Sequence, residues 1–139
     1  MTELSLSKWE EAISRLLEFT QDGKLEWDVV SPDQFLRDED ITGAVLLVKY
    51  KEKYLLLYSK AYWYVTGNIG NVLAAFSGQS EKTKGYRPEL SVYDMTEEVI
   101  VYKFPYSELV DDLYKAAAYN AAKIDELISS ILDENNTPS

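Results

Sequence analysis

Trp9, Ile13, Leu16, Leu17 and Thr20 recur at intervals of three and four residues near the start of the chain. That spacing lines one face of a helix and predicts one over 7–22. Ser7 and Glu10 stand at capping-box spacing, where each can satisfy an orphan amide of a first turn. Gly23 follows Asp22 and can take the left-handed conformation that ends a helix. The pattern then changes period. LEWDVV, 25–30, reads as a strand, broken at Ser31-Pro32 because proline donates no hydrogen bond and restrains its predecessor. DQFLRDED is a polar connection in which Phe35 and Leu36 are the expected anchor to the core.

ITGAVLLVKY, 41–50, and YLLLYSKAYWYV, 54–65, are rich in β-branched, leucine and aromatic residues and flank a short KEK turn, so they predict a hairpin. Residues 66–88 hold four of the six glycines and one apolar run, VLAAF. They read as a long loop with a short helix or strand inside it. ELSVYD, 89–94, and VIVYKF, 99–104, predict a second hairpin around MTEE, stopped by Pro105. From 106 to 134 the stripe Tyr106, Val110, Leu113, Ala117, Ala121, Ile124, Ile128 and Ile131 predicts one long helix. The expected fold is therefore α+β: an antiparallel sheet of about five strands, with an N-terminal and a long C-terminal helix packed on one face. It is a single domain over 1–139, with 1–5 and 135–139 frayed.

Residues of one parity share a face of a strand. Leu55, Leu57, Ala61, Trp63 and Val65 would face the helices. Tyr54, Leu56, Tyr58, Tyr62 and Tyr64 would then lie on the other face, with Lys60 among them and water beside them. One explanation is a half-exposed sheet that uses tyrosine for its strand propensity. The other is an aromatic contact surface, since tyrosine and tryptophan dominate interface hot spots. Tyr58, Tyr62, Trp63 and Tyr64 form that candidate binding set. Tyr119 joins it, because a helical wheel places it opposite the apolar stripe, where it could touch a partner or a second copy.

Two segments carry a resemblance. The helix end TQDGKLEW shows a T-x-x-G-K-L-x-W pattern, and VIVYKFP leads into the last helix through SELVDDLYKAAAYNAAKIDELISSIL. Together they resemble small, uncharacterised bacterial α+β proteins. The likeness spans about the first thirty and last fifty residues and implies a fold of that type, with no activity or site carried over.

Composition narrows the chemistry. The 139 residues suffice for one domain with a core of its own, and 46% are hydrophobic. Cysteine and histidine are both absent. No disulfide, thiol nucleophile, imidazole base or usual zinc site can be built, and serine triads of the ordinary kind are excluded. Gly67 and Gly70 lack the Gly-Lys-Ser/Thr ending of a P-loop and the third glycine of a dinucleotide fingerprint, so Gly67-Asn68 and Gly70-Asn71 read as turn residues. The carboxylate groups Asp38-Glu39-Asp40, Glu97-Glu98, Asp111-Asp112 and Asp125-Glu126 lack calcium-loop spacing and read as solvated. A net charge of −10 opposes binding to a phosphate backbone. No apolar run reaches the length of a membrane span, and no leader is apparent, so a cytoplasmic protein is expected.

The functional expectation is a non-enzymatic, acidic interaction module that binds a protein partner or itself. An immunity-type or anti-defence inhibitor is the analogy. The alternative is a small-molecule binding domain, using hairpin 54–65 as a stacking wall and 66–88 as a lid beside Trp63. No cofactor and no metal are expected. An enzyme built on carboxylate, lysine or tyrosine groups ranks below both.

Overall fold

The computed structural model of the chain describes residues 2–65 and 82–133. Helix α1 runs Thr2–Gln21, so it starts before Ser7, which lies within it instead of capping it. Residues 2–5, expected to fray, belong to the same helix. Its end is a Schellman reversal. Lys24 N–H donates to the Phe19 carbonyl at 2.8 Å and Gly23 N–H to the Thr20 carbonyl at 3.2 Å, with Gly23 at φ +74°. The T-x-x-G-K-L-x-W pattern closes on itself here. The buried Thr20 hydroxyl donates to the Leu16 carbonyl at 2.7 Å and accepts the Trp27 indole N–H at 3.0 Å. Leu25 and Trp27 turn into the core. The Trp27 backbone N–H donates to Asn120 Oδ1 at 2.8 Å, leaving strand β1 only Asp28–Val30.

Pro32–Phe35 forms a single helical turn, α2, in the connection expected to be irregular. Proline suits a first helical position, where the missing N–H is an orphan anyway. Strands β2, Ile41–Tyr50, and β3, Lys53–Val65, make the expected hairpin. Strand β4 runs Lys82–Asp94, seven residues further toward its N-terminus than the sequence pattern suggested, and β5 runs Val99–Lys103. The rest of the expected 66–88 loop lies outside the described residues, as do 135–139. The five strands form one antiparallel meander in the order β1-β2-β3-β4-β5.

The expected last helix is two helices, α3 over Glu108–Ala121 and α4 over Ile124–Asp133. Lys123, at φ +54°, turns the chain between them, and Lys123 N–H closes that turn on the Asn120 carbonyl. No glycine or proline marks the break. Asn120 is instead held by Trp27, and the Tyr119 hydroxyl donates to Asp125 at 2.7 Å across the junction.

Helices α1 and α3 pack together, and α3 also touches β2 and β4. Between them and the sheet lie Ile13, Leu16, Leu46, Leu57, Leu90 and Leu113, among others. Burying side chains of this kind contributes about 1.5–3 kcal/mol each. Tyr114 reaches from α3 to the Ala44 carbonyl at 2.6 Å, where β2 bulges at Gly43. The opposite face is not the wet surface the pattern suggested. Phe35 and Leu36 fold over it and enclose Val45, Leu56, Tyr58 and Tyr93 in a second apolar cluster, with Phe35 edge-on to Tyr93 at 5.1 Å. By contrast, Leu127, Ile128, Ile131 and Leu132 of α4 are exposed, so only the α3 half of the expected stripe is core.

Candidate functional site

Strands β3 and β4 outrun the rest of the sheet. Strand β2 last pairs with β3 at Ile41↔Lys60, and β5 last pairs with β4 at Ser91↔Lys103. Beyond these points β3 and β4 pair only with each other, from Ala61↔Tyr86 to Val65↔Lys82. Among the described residues the result is a two-stranded arm, 61–65 and 82–86, with no strand paired to either outer edge. With the two residue pairs at its root it spans 59–65 and 82–88, and these segments carry Lys60, Lys82, Lys84 and Arg87 and no carboxylate, in a chain of net charge −10.

Register assigns the side chains to two faces. Trp63, Lys84 and Tyr86 share one. Trp63 exposes 63% of its surface, and the Lys84 ammonium lies 5.9 Å from its ring and 5.3 Å from that of Tyr86. Lys84 is ion-paired to Asp40, which also accepts the Tyr86 hydroxyl at 3.1 Å. These contacts hold the Asp40 carboxyl below its usual range, with the hydrogen bond from Lys84 the largest cause. The Lys84 ammonium is raised in turn, chiefly by Asp40. At the root of the arm, Ala61 N–H donates to the Asp40 carbonyl at 2.9 Å, and Lys60 pairs with Glu39 at 2.9 Å. The acidic loop before β2, expected to be a solvated run, therefore tethers the arm.

Tyr62, Tyr64 and Arg87 share the other face. The Tyr62 ring crosses the Gly85 backbone so closely that a Cβ there would sit 2.9 Å from it. It stacks on Tyr64 at 5.5 Å. The Arg87 guanidinium then lies 5.0 Å from Tyr62 and 4.6 Å from Tyr106. Tyr106 is fixed from behind by its hydroxyl bond to Asp111, which raises its pKa. Tyr64, Tyr62, Arg87 and Tyr106 thus form a continuous stack from the arm to the start of α3.

Of the candidate contact residues, Trp63 and Tyr64 are exposed and Tyr62 is half-buried on the arm. Tyr58 is not a surface residue. It is fully buried, and its hydroxyl is 2.8 Å from Ser91 Oγ. Parity placed it on the face away from the helices correctly, but Phe35 and Leu36 cover that face. Burial is the main reason its phenol pKa lies far above the ordinary value. Tyr119 is exposed, and it borders a groove of about 670 Å³ between the end of α1 and the α3–α4 junction. Its hydroxyl is held by Asp125, which raises its pKa. Lys84, Tyr86 and Arg87 escaped the sequence reading because KTKGYRP shows no apolar alternation; an arm without a core behind it needs none.

The concavity beside the hairpin is lined by Tyr62, not by Trp63. It measures about 270 Å³, and Lys60, Arg87, Glu89, Phe104 and Tyr106 complete its wall. Among the described residues no group of three or more acidic side chains could hold a metal ion, and no helix is long and apolar enough to cross a membrane. Comparison of the chain with protein-family models, curated proteins and solved structures finds no match.

Proposed function

We propose that this protein is a non-enzymatic binding module that takes a protein partner on the β3–β4 arm. The observation that carries the proposal is Trp63, which is 63% exposed on an arm that contributes to neither core cluster among the described residues. Tyr86 shares its face, and Lys84, held by Asp40, lies against both rings, while Tyr64 is exposed on the opposite face of the arm. Large rings held in place lose little freedom on binding, which is what makes such residues hot spots. An inhibitor of the immunity or anti-defence type is one form such a module takes. Among its described residues the arm carries no carboxylate. Contact through aromatic side chains is the better account of the arm itself.

The test is native mass spectrometry of the tagged protein recovered from its source cells, run beside a Trp63→Ala variant. A stoichiometric protein adduct on the wild type that disappears from the variant supports the proposal. An adduct that survives the substitution places the interface elsewhere.

A further inference from the structure

We infer that α4 is a self-association element, whose apolar face pairs with the same face of a second copy of the chain. At about 100° per residue, Ile124, Leu127, Ile128, Ile131 and Leu132 fall on one arc about 140° wide. Four of them are exposed, Ile131 to 62% and Leu132 to 76%. No residue of α4 is buried, and the helix touches the rest of the molecule chiefly through α3. A helix of 10 residues is marginal in water by itself, because nucleation costs more than so few hydrogen bonds return. Packing of an apolar face normally supplies the difference, and among the described residues nothing buries this one.

Charge and area say what covers it. Asp125, Glu126 and Asp133 lie about 90° or more from the centre of the arc. Asp125 is also tied to the Tyr119 hydroxyl. The face is therefore uncharged and complements another uncharged face. A groove rimmed with lysine or arginine would meet only Asp125 at its edge, a carboxylate already engaged. An anionic lipid surface is opposed by three carboxylates on a helix with no basic residue. A two-fold axis sets apolar arc on apolar arc and leaves the carboxylates of both copies outside.

The four exposed side chains present on the order of 400 Å², the scale of patches that mark contact sites. Two such faces bury on the order of 800 Å², at the low end of interface sizes, so the pair is weak and transient. Two copies of net charge −10 also repel at long range, and salt screens that repulsion. Tyr106, stacked on Arg87 of the arm, precedes α3, and α4 follows the other end of that helix. The 14 residues of α3 span about 21 Å, so this surface is separate from the arm.

Sedimentation velocity of the full chain between about 5 and about 500 μM tests it. A reversible monomer–dimer equilibrium is expected, with a Kd on the order of 10–100 μM. It should tighten at least about threefold between roughly 0.05 and 0.5 M sodium chloride. Ile131→Ser combined with Leu132→Ser should weaken the dimer at least about tenfold. Trp63→Ala should leave the dimer unchanged, which distinguishes α4 from the arm. Backbone amide shifts of the wild type over 124–133 should follow the same concentration dependence, a reading that needs no variant. A wild type still monomeric at the highest concentration overturns the inference. So does a dimer that survives the double substitution or is abolished by Trp63→Ala. Binding of a monomeric wild type to phosphatidylcholine vesicles would assign the face to lipid and overturn it as well.

Discussion

Replacing Trp63 by alanine separates binding from folding. Trp63 exposes 63% of its surface, and with a tryptophan presenting up to about 250 Å² some 160 Å² is left for a partner to cover. At about 25 cal/mol per Å² that area corresponds to roughly 4 kcal/mol. Ordering the side chain costs about 1 kcal/mol, so the net loss on truncation is about 3 kcal/mol, on the order of a hundredfold in Kd. The effect on folding should be far smaller. The exposed contact with Lys84 contributes about 0.5–1 kcal/mol, and among the described residues the ring belongs to neither core cluster. Titration calorimetry with the recovered partner gives the first quantity and urea unfolding the second. Trp27 is buried and Trp9 partly so, which makes quenching of the exposed tryptophan a direct report of contact at Trp63. Affinity within threefold of wild type would refute the assignment of the arm. A stability loss above about 2 kcal/mol, beyond an exposed cation–π contact, would show that Trp63 is structural.

Tyr58→Phe leaves Ser91 buried without its partner and should cost about 1–3 kcal/mol in urea unfolding. Adding Ser91→Ala should recover much of that loss, and purely additive effects would show that the two hydroxyls do not interact. Lys123→Gly relieves a side chain at φ +54° and should stabilise by about 0.5–1 kcal/mol, unless the α3–α4 turn is held by the lysine itself. The phenols of Tyr58, Tyr93, Tyr106, Tyr114 and Tyr119 all have pKa values raised by folding. Their contribution is fully present below the unfolded value near 10 and is lost as pH rises past it. The last phenolate to form should therefore appear together with loss of the fold, and ionisation of all 11 tyrosines with the fold intact would contradict the burial of Tyr58.

The end of α1 and the faces of β3 were legible because local signals decide them. A glycine after a periodic run sets the α1 terminus, and alternation sets which residues of β3 face the helices. The candidate site was legible in part. Tyr62, Trp63 and Tyr64 stand out as an aromatic run, but their partners do not. Lys84 and Arg87 lie in a stretch without hydrophobic alternation, and only pairing with β3 makes it a strand.

Hydrophobic period, turn residues and missing residue types are local properties. By themselves they determined an α+β chain with an antiparallel sheet, and they ruled out imidazole and thiol chemistry. Burial is a property of what packs on top. Only the tertiary structure decided that Phe35 and Leu36 cover Tyr58, that Asn120 and Tyr119 break the last helix at Lys123, and that β3 and β4 extend past their neighbours. These outcomes depend on contacts between residues far apart in sequence, whose energies appear only once the chain has brought them together.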